Sequence, residues 1–249
     1  GMYGQFFILF GLILVGYYCN KKGYLPLETN KNVGHMVMRV TIPAMLITTI
    51  ASIEITDRVL RAFLLSAAGQ IAMMVVFGFL MRQYGRKRGL DSRLLPMLDL
   101  TAGSLNTGFI GLPVTMIFFG QAGIIYMSAG VLALNLYLWS YGVYLISDKK
   151  ATGAAAIGKS FLQGAINPNC ISILLGLLLA VTHTARFVPT VVLGFLTKVG
   201  DLSTPLSLIY IGALAGGSGI VQLFKEKMAL EISVVKMICL LYTSPSPRD

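Results

Sequence analysis

Residues 100–147 form the longest charge-free stretch of the chain, LTAGSLNTGFIGLPVTMIFFGQAGIIYMSAGVLALNLYLWSYGVYLIS. As one straight helix rising ~1.5 Å per residue, it would be more than twice as long as the ~30 Å hydrocarbon core of a bilayer. Residues 119–123 are typical of a turn, because two glycines flank polar Gln121. We therefore predict two membrane-spanning helices that reverse direction at residues 119–123.

The composition of the whole chain also indicates that it lies in a lipid bilayer. Apolar residues make up 55% of the chain and charged residues 12%, with a mean hydropathy of +0.76; soluble chains are about 45–50% apolar and about 25% charged. The sequence predicts an all-α integral membrane protein. The expected spans are 5–20, 33–52, 60–81, 94–118, 124–146, 164–182, 190–217 and 229 onward.

The first span is better interpreted as a membrane helix than as a signal peptide, because no basic segment precedes it and Lys21 and Lys22 follow it. Two of the other spans are interrupted by charge: Arg39 lies in the second, and Lys198 and Asp201 lie in the seventh.

Lys and Arg residues are unevenly divided between alternate loops. One side holds Lys21, Lys22, Lys31, Arg82, Arg86, Lys87, Arg88, Arg93, Lys149, Lys150, Lys159, Lys225 and Lys227, and the other holds Arg58, Arg61 and Arg186. Cytoplasmic loops carry the basic excess. We expect a multi-pass membrane protein with its N-terminus outside. Topology thus accounts for the net charge of +10 without a nucleic-acid partner.

Residues 39–51 and 201–213 align without gaps and share a proline, a leucine, an isoleucine and an alanine. These segments belong to the second and seventh spans, which are five apart. An odd repeat length places two copies in opposite orientations, as in many secondary carriers. We predict inverted five-helix repeats: 1–146 as a complete first repeat, 147–163 as a short cytoplasmic linker and 164–238 as a truncated second repeat.

Residues 239–249, CLLYTSPSPRD, abandon the apolar pattern in mid-span. They read like the translated transposase adapter of a sequencing library, and the alternative is a genuine polar tail. We expect a non-native tail, and we expect re-sequencing of the source locus to replace it with further hydrophobic spans.

The fourth span contains a helix-breaking segment. Residues 103–113 combine three glycines, one proline and three polar side chains. Pro113 lacks an N–H and crowds the carbonyl near Phe109, so the helix is expected to open there. Open backbone at membrane depth lines a cavity or packs against protein, and a half-helix N-terminus attracts an anion. A binding site and a simple packing kink both remain open on these grounds.

The segment from Asn106 to Pro113 resembles the Asn-Thr-x-x-x-Gly-x-Pro crossover motif of the auxin efflux carrier family. Asn167 and Pro168 are similar to the start of that family's second repeat, and the resemblance runs from about Phe6 to about Ile238. It implies ten helices, with broken fourth and ninth helices crossing at the substrate site. It also implies a permease for auxin or for malate- and malonate-like acids. The short linker is similar to that of bacterial members, which implies a location in the bacterial inner (plasma) membrane.

The same resemblance implies the site residues. Asn106 matches the crossover Asn that faces the substrate carboxylate, and Pro113 matches the crossover Pro. The substrate-binding set implied by the motif and the fifth span is Asn106, Thr107, Gly108, Gly111, Pro113 and Asn135. Asn135 lies four residues before Trp139, where auxin exporters carry a Gln. The second crossover would lie beyond Ile238, so this chain is expected to hold half of the site.

Asp99 is a candidate proton-coupling acid, because an intramembrane carboxylate is costly and usually functional. Its place near the cytoplasmic end of the fourth span favours a solvated side chain instead. Gly212 and Gly216 form a small-xxx-small pair that indicates helix packing. The aromatic cluster Tyr137, Trp139, Tyr141 and Tyr144 is expected to combine packing with an interfacial belt.

A membrane-embedded enzyme or a receptor is the rival class. It would need a catalytic cluster, and the spans contain neither a His, Asp and Glu grouping, nor a Ser/Lys pair, nor metal-ligand spacing. We therefore expect no enzyme activity, no metal and no cofactor. The expected partners are a small organic anion, a proton or sodium as coupling ion, the lipid bilayer and, in a homodimer, a second copy. A sodium-coupled symporter of the bile-acid type is the alternative carrier.

Overall fold

A computed structural model describes residues 2–104, 106–146 and 166–217. This part of the chain is helical and contains no strand. The α-helices are α1 (Met2–Lys21), α2 (Leu27–Met36), α3 (Ile42–Ala51), α4 (Asp57–Lys87), α5 (Leu95–Gly103), α6 (Leu112–Tyr137), α7 (Val143–Ile146), α8 (Pro168–Val181), α9 (Thr190–Asp201) and α10 (Ser203–Gly217). Three π-helical segments, Val37–Thr41, Thr107–Gly111 and Leu138–Gly142, and one 3-10 turn, Thr184–Phe187, interrupt or join them.

Within the described residues, five helical stretches are long and apolar enough to cross a membrane: Tyr3–Lys21, Leu27–Ala51, Asp57–Lys87, Leu95–Gly142 and Thr190–Gly217. The expected sixth span appears as the shorter α8. The predicted linker 147–163, the expected eighth span and the expected non-native tail 239–249 lie outside the described residues. Large apolar side chains point outward: Phe7 is 80% exposed, Leu65 73% and Leu174 57%. Such an apolar exterior fits lipid as the solvent.

The stretch Leu95–Gly142 folds back on itself, as predicted. Gly120 has φ 62° and ψ −155°, a conformation that a side chain would oppose. After the turn the two arms pack together. The Sδ of Met127, in the second arm, is 3.0 Å from the position that a Cβ on Gly111, in the first arm, would take. Gly142 likewise lies against Leu100. The local chemistry of residues 119–123 was sufficient to locate this reversal.

The first span packs along the seventh. α1 lies against α10, and the two backbones approach so closely that a Cβ on Gly16 would collide with the carbonyl oxygen of Ile209. A Cβ on Gly212 would in turn collide with the carbonyl oxygen of Ile13. Gly216 faces Asn20 and the carbonyl oxygen of Tyr17, 3.1 Å from its Cβ position. The interpretation of Gly212 and Gly216 as packing residues is confirmed.

The second span packs against the sixth. α3 lies along α8, where Gly176 allows Ile50 and the carbonyl of Leu46 to come within about van der Waals contact. Around this contact lies the main apolar core, whose fully buried members come from the second, fourth, fifth and sixth spans: Val37, Ile42, Leu46, Ile50, Leu112, Ile124, Ala129 and Ile173. α4 completes the bundle by packing against α5 and α6.

Prolines follow the irregular segments rather than causing a break at their own position. Pro43 lies in the first turn of α3, directly after the π-helical segment Val37–Thr41, and Pro113 lies in the first turn of α6 after Thr107–Gly111. Each π-helical segment continues into the α-helix, since the N–H of Ile42 donates to the carbonyl of Val37 and that of Leu112 to the carbonyl of Thr107. The one-residue expansion of a π-helix accommodates the carbonyls that precede it.

Candidate functional site

The fourth span is broken between α5 and the π-helical segment. Ser104 is extended with ψ 131°, and Asn106 has φ −81° and ψ 69°, which is neither helical nor extended. Helical structure resumes at Thr107, where the N–H of Gly111 donates to the carbonyl of Asn106 at 3.0 Å. The opening predicted near Phe109 corresponds to the π-helical segment Thr107–Gly111, whereas the non-helical break itself lies about one turn earlier. The π-helical segment accommodates Pro113, so the helix is interrupted where that segment begins.

Asn106 caps the resumed helix. Its Oδ1 accepts a hydrogen bond from the N–H of Phe109 at 3.2 Å, and the residue is exposed. This bond orients the side chain and leaves its Nδ2 amide group without a partner among the described residues. The neighbouring Thr107 is buried, and its Oγ1 also lacks a partner within the described part. Two polar groups are therefore available at the break.

The π-helical segment Thr107–Gly111 lies between the second and seventh spans. A Cβ on Gly108 would stand 3.3 Å from the Sδ of Met38, in the π-helical segment of the second span. The ring of Phe109 stacks on Tyr210 of α10, with centroids 4.6 Å apart and an interplanar angle of 24°. The break is thus held by contacts to two different spans.

Asn135 has a local role in the structure. It lies in the second arm of α6, and its Nδ2 donates to the carbonyl of Val131, one turn earlier, at 2.8 Å. No contact with the break is recorded for it in the described residues, so its place in a substrate site stays a prediction. Arg39 is exposed on the π-helical segment of the second span and has no ion-pair partner in the part of the chain described.

Asp99 lies in α5, one turn before the break, and is completely buried. The expectation of a solvated side chain is wrong, because α4 and the second arm of α6 cover it. Its Oδ2 accepts from the hydroxyl of Tyr141 at 3.1 Å and lies 3.8 Å from Nη1 of Arg82. Arg82 lies in α4, although the sequence assigns it to a basic loop. Tyr141 belongs to the aromatic cluster that is expected to combine packing with an interfacial belt. Only the four-residue spacing of Tyr137 and Tyr141 could have signalled a shared face.

A cavity of about 330 Å³ opens between α3, the turn of α6 and the seventh span. Its lining is rich in hydroxyl groups and includes one carboxylate: Met45, Thr48, Thr49, Ser52, Met116, Ile117, Gln121, Thr197, Gly200, Asp201 and Thr204. Gly200 lies directly against the backbone of Met45, so the two proline-containing segments cross here. This cavity could not be predicted from the sequence, because its residues come from three distant segments.

Comparison with known proteins gives two matches. A family model described as membrane transport protein matches residues 2–241. An uncharacterized transporter of Methanothermobacter thermautotrophicus is 26% identical over 204 residues, which cover 81% of this chain and 64% of the relative. The chain therefore spans somewhat less than two thirds of that relative's length.

Proposed function

Because the chain belongs to the membrane transport protein family, the family of the auxin efflux carriers, we propose that it is a secondary carrier of small organic anions. The family and the relative both indicate a transporter rather than an enzyme. Carboxylates are the substrate class that the site favours, and alternating access across the plasma membrane is the mechanism.

The observation that carries this proposal is the exposed amide of Asn106 at a break within a membrane-spanning helix. The amide Nδ2 can donate to a carboxylate, and the N–H groups that open the helix at Thr107 add a favourable dipole. Neither group carries a full positive charge. The anion would be stabilised by hydrogen bonds and released without separating a fixed ion pair.

The packing of the spans supports two inverted repeats. In the proposed arrangement the first helix of each repeat packs against the second helix of the other: α1 against α10, and α8 against α3. A two-fold axis in the membrane plane requires this reciprocal pairing. Movement of the crossover would then act on its contacts with Met38 and Tyr210.

The uneven division of basic residues supports an N-terminus outside the cell. In intact cells of a variant freed of its native cysteines, a cysteine near Arg88 should be shielded from an impermeant thiol reagent. A cysteine near Asp57 should react. The reverse labelling pattern would overturn this orientation.

The substrate site is tested by counterflow of radiolabelled malonate, malate or indole acetate in liposomes that contain the full-length protein. Asn106→Ala removes a hydrogen bond to a charged group, about 1.5–3 kcal/mol, which corresponds to about a ten- to hundredfold loss of affinity. Asn106→Asp should bind more weakly still, because it sets a negative charge against an anion.

Asn167→Ala is the matched control. Asn167 also caps a helix, with its Oδ1 accepting from the N–H of Asn169 at 2.9 Å, but it lies at the start of α8. Asn167→Ala should lower stability as Asn106→Ala does and leave the affinity for the substrate unchanged. Equal affinities of the wild type and Asn106→Ala would remove this residue from the site. Counterflow that required sodium would favour the bile-acid type of carrier.

A further inference from the structure

The side chain of Asp99 is buried in the middle of a polar cluster formed by three spans. Its exposed fraction is 0%, although it lies on an apolar helix that ends at the break. An ionised carboxylate in such surroundings is costly unless its partners compensate for the lost water. The partners on record are the hydroxyl of Tyr141 and the guanidinium of Arg82.

This compensation is incomplete. The Oδ1 of Asp99, the Nε of Arg82 and the hydroxyl of Tyr137 are all buried without a hydrogen-bond partner among the described residues. The separation of 3.8 Å between Arg82 and Asp99 is also long for a charge-assisted hydrogen bond. Buried polar groups in a purely structural network are almost always satisfied. The polar groups of the cluster can therefore form at least one more hydrogen bond.

Two glycines allow these polar groups to lie close to the backbone of α4 and α5. A Cβ on Gly78 of α4 would collide with the Oδ1 of Asp99 and would stand 3.0 Å from the hydroxyl of Tyr137. A Cβ on Gly103, at the end of α5, would collide with that same hydroxyl. The carboxylate oxygen and the hydroxyl therefore lie close together against glycine backbone, in the volume that a side chain would occupy.

We propose that Asp99, paired with Arg82 and Tyr141, is the proton-binding site that couples anion transport to the proton gradient. The inference rests on the proposed carrier function and names its coupling ion. A proton needs one free lone pair, which Oδ1 supplies. Sodium needs several oxygen ligands and would be repelled by the guanidinium, which contacts the same carboxylate.

The position of Asp99 explains how its carboxylate exchanges protons with water and how its protonation acts on the substrate site. Arg82 is 29% exposed, so its side chain links the buried carboxylate to solvent at the end of α4. Gly103, the last residue of α5, lies one turn after Asp99 and directly before the break. Protonation cancels the charge that holds α5 to α4, and α5, which leads directly into the break, is then free to move.

The groups that face Asp99 come from each element packed around it. α4 supplies Arg82, α6 supplies Tyr137 and the following π-helical segment supplies Tyr141; Gly78 and Gly103 present only backbone. Tyr141→Phe keeps the ring and removes the donor to the ionised carboxylate. It should move the pH of half-maximal gradient-driven uptake upward without abolishing uptake.

The decisive experiment compares two transport modes in the same liposomes, with the membrane potential clamped by valinomycin and equal potassium. A pH gradient should drive accumulation of radiolabelled malonate or malate by the wild type, in one gradient direction for symport and in the other for antiport. Asp99→Asn should lose at least tenfold of this accumulation and retain counterflow, since exchange needs no net proton movement.

Asp91→Asn is the matched control. Asp91 is exposed in the turn before α5, where its Oδ1 accepts from the N–H of Arg93, and both transport modes should stay at the wild-type level. Equal losses of counterflow and of gradient-driven uptake in Asp99→Asn would overturn the proton site in favour of a structural ion pair. So would a wild type whose counterflow is intact but whose uptake ignores the pH gradient.

A wild type with no counterflow of any tested acid would instead overturn the carrier function itself. If Asp99→Asn does not fold, Tyr141→Phe decides the question. A pH profile of uptake identical to that of the wild type would contradict the proposal.

Discussion

Two regions of this molecule depend on close approach to glycine, and they use it differently. Between α1 and α10, Gly16 and Gly212 bring one backbone against another, in an interface without a buried charge. Between α4, α5 and α6, Gly78 and Gly103 bring backbone against the polar atoms of Asp99 and Tyr137. The first contact serves packing alone. The second leaves space for a charged side chain and is connected to the candidate site.

The largest effect is expected in the first region. Gly16→Ala would place a methyl group on the carbonyl oxygen of Ile209, and a backbone atom in a helix cannot move away without separating the helices. We expect a loss of about 1–3 kcal/mol or more in stability, measured as thermal unfolding in detergent. Gly11→Ala, on the same helix with nothing within 4 Å, should be neutral or about 0.5–1 kcal/mol stabilising. Similar losses in both variants would contradict this interface.

In the second region we expect a loss of transport accompanied by a smaller loss of stability. Gly78→Ala would meet the Oδ1 of Asp99, which can rotate, and its carbonyl oxygen at 2.8 Å, which cannot. The cost is therefore placed at the low end of the range for overpacking, about 1 kcal/mol. Gly69→Ala on the same helix, with open space around it, is the control.

A double variant sharpens this result. Gly78→Ala should cost less stability in an Asp99→Ala background than in the wild type, because the carboxylate oxygen is gone and only the carbonyl oxygen remains. An equal cost in the two backgrounds would mean that Gly78 does not approach the carboxylate.

The smallest effect is expected from Tyr137→Phe. The hydroxyl of Tyr137 is buried and faces Asp99 without forming a hydrogen bond of good geometry in the described residues, so its removal should cost little. Stability should change by less than about 0.5 kcal/mol, whereas Tyr141→Phe breaks a bond to a charged group that is worth about 1.5–3 kcal/mol. Comparable losses in the two variants, measured by the same thermal unfolding, would show that both hydroxyls bond to Asp99.

Much of the fold could be predicted, because its signals are local. The apolar stretches, the turn at residues 119–123 and a break in the fourth span follow from chemistry within a few residues. The non-helical break lies about one turn before the predicted opening because the π-helical segment Thr107–Gly111 depends on contacts with Met38 and Tyr210, which lie in other spans.

The candidate site was predicted in part. The crossover motif identified Asn106, and the structure adds that its amide group is exposed and oriented by the bond to Phe109. The partners of Asp99 were not predicted, because Arg82 and Tyr141 lie on different helices and each has an ordinary alternative role at a membrane interface.

By itself, the sequence determined that the chain lies in lipid, that it is helical and to which family it belongs. Hydropathy, the placement of glycine and proline, and a short motif are all local signals. Only the tertiary structure decided which glycines carry packing and which carboxylate is buried. Burial depends on which helices meet, and Asp99 is enclosed because α4 and the second arm of α6 close over α5.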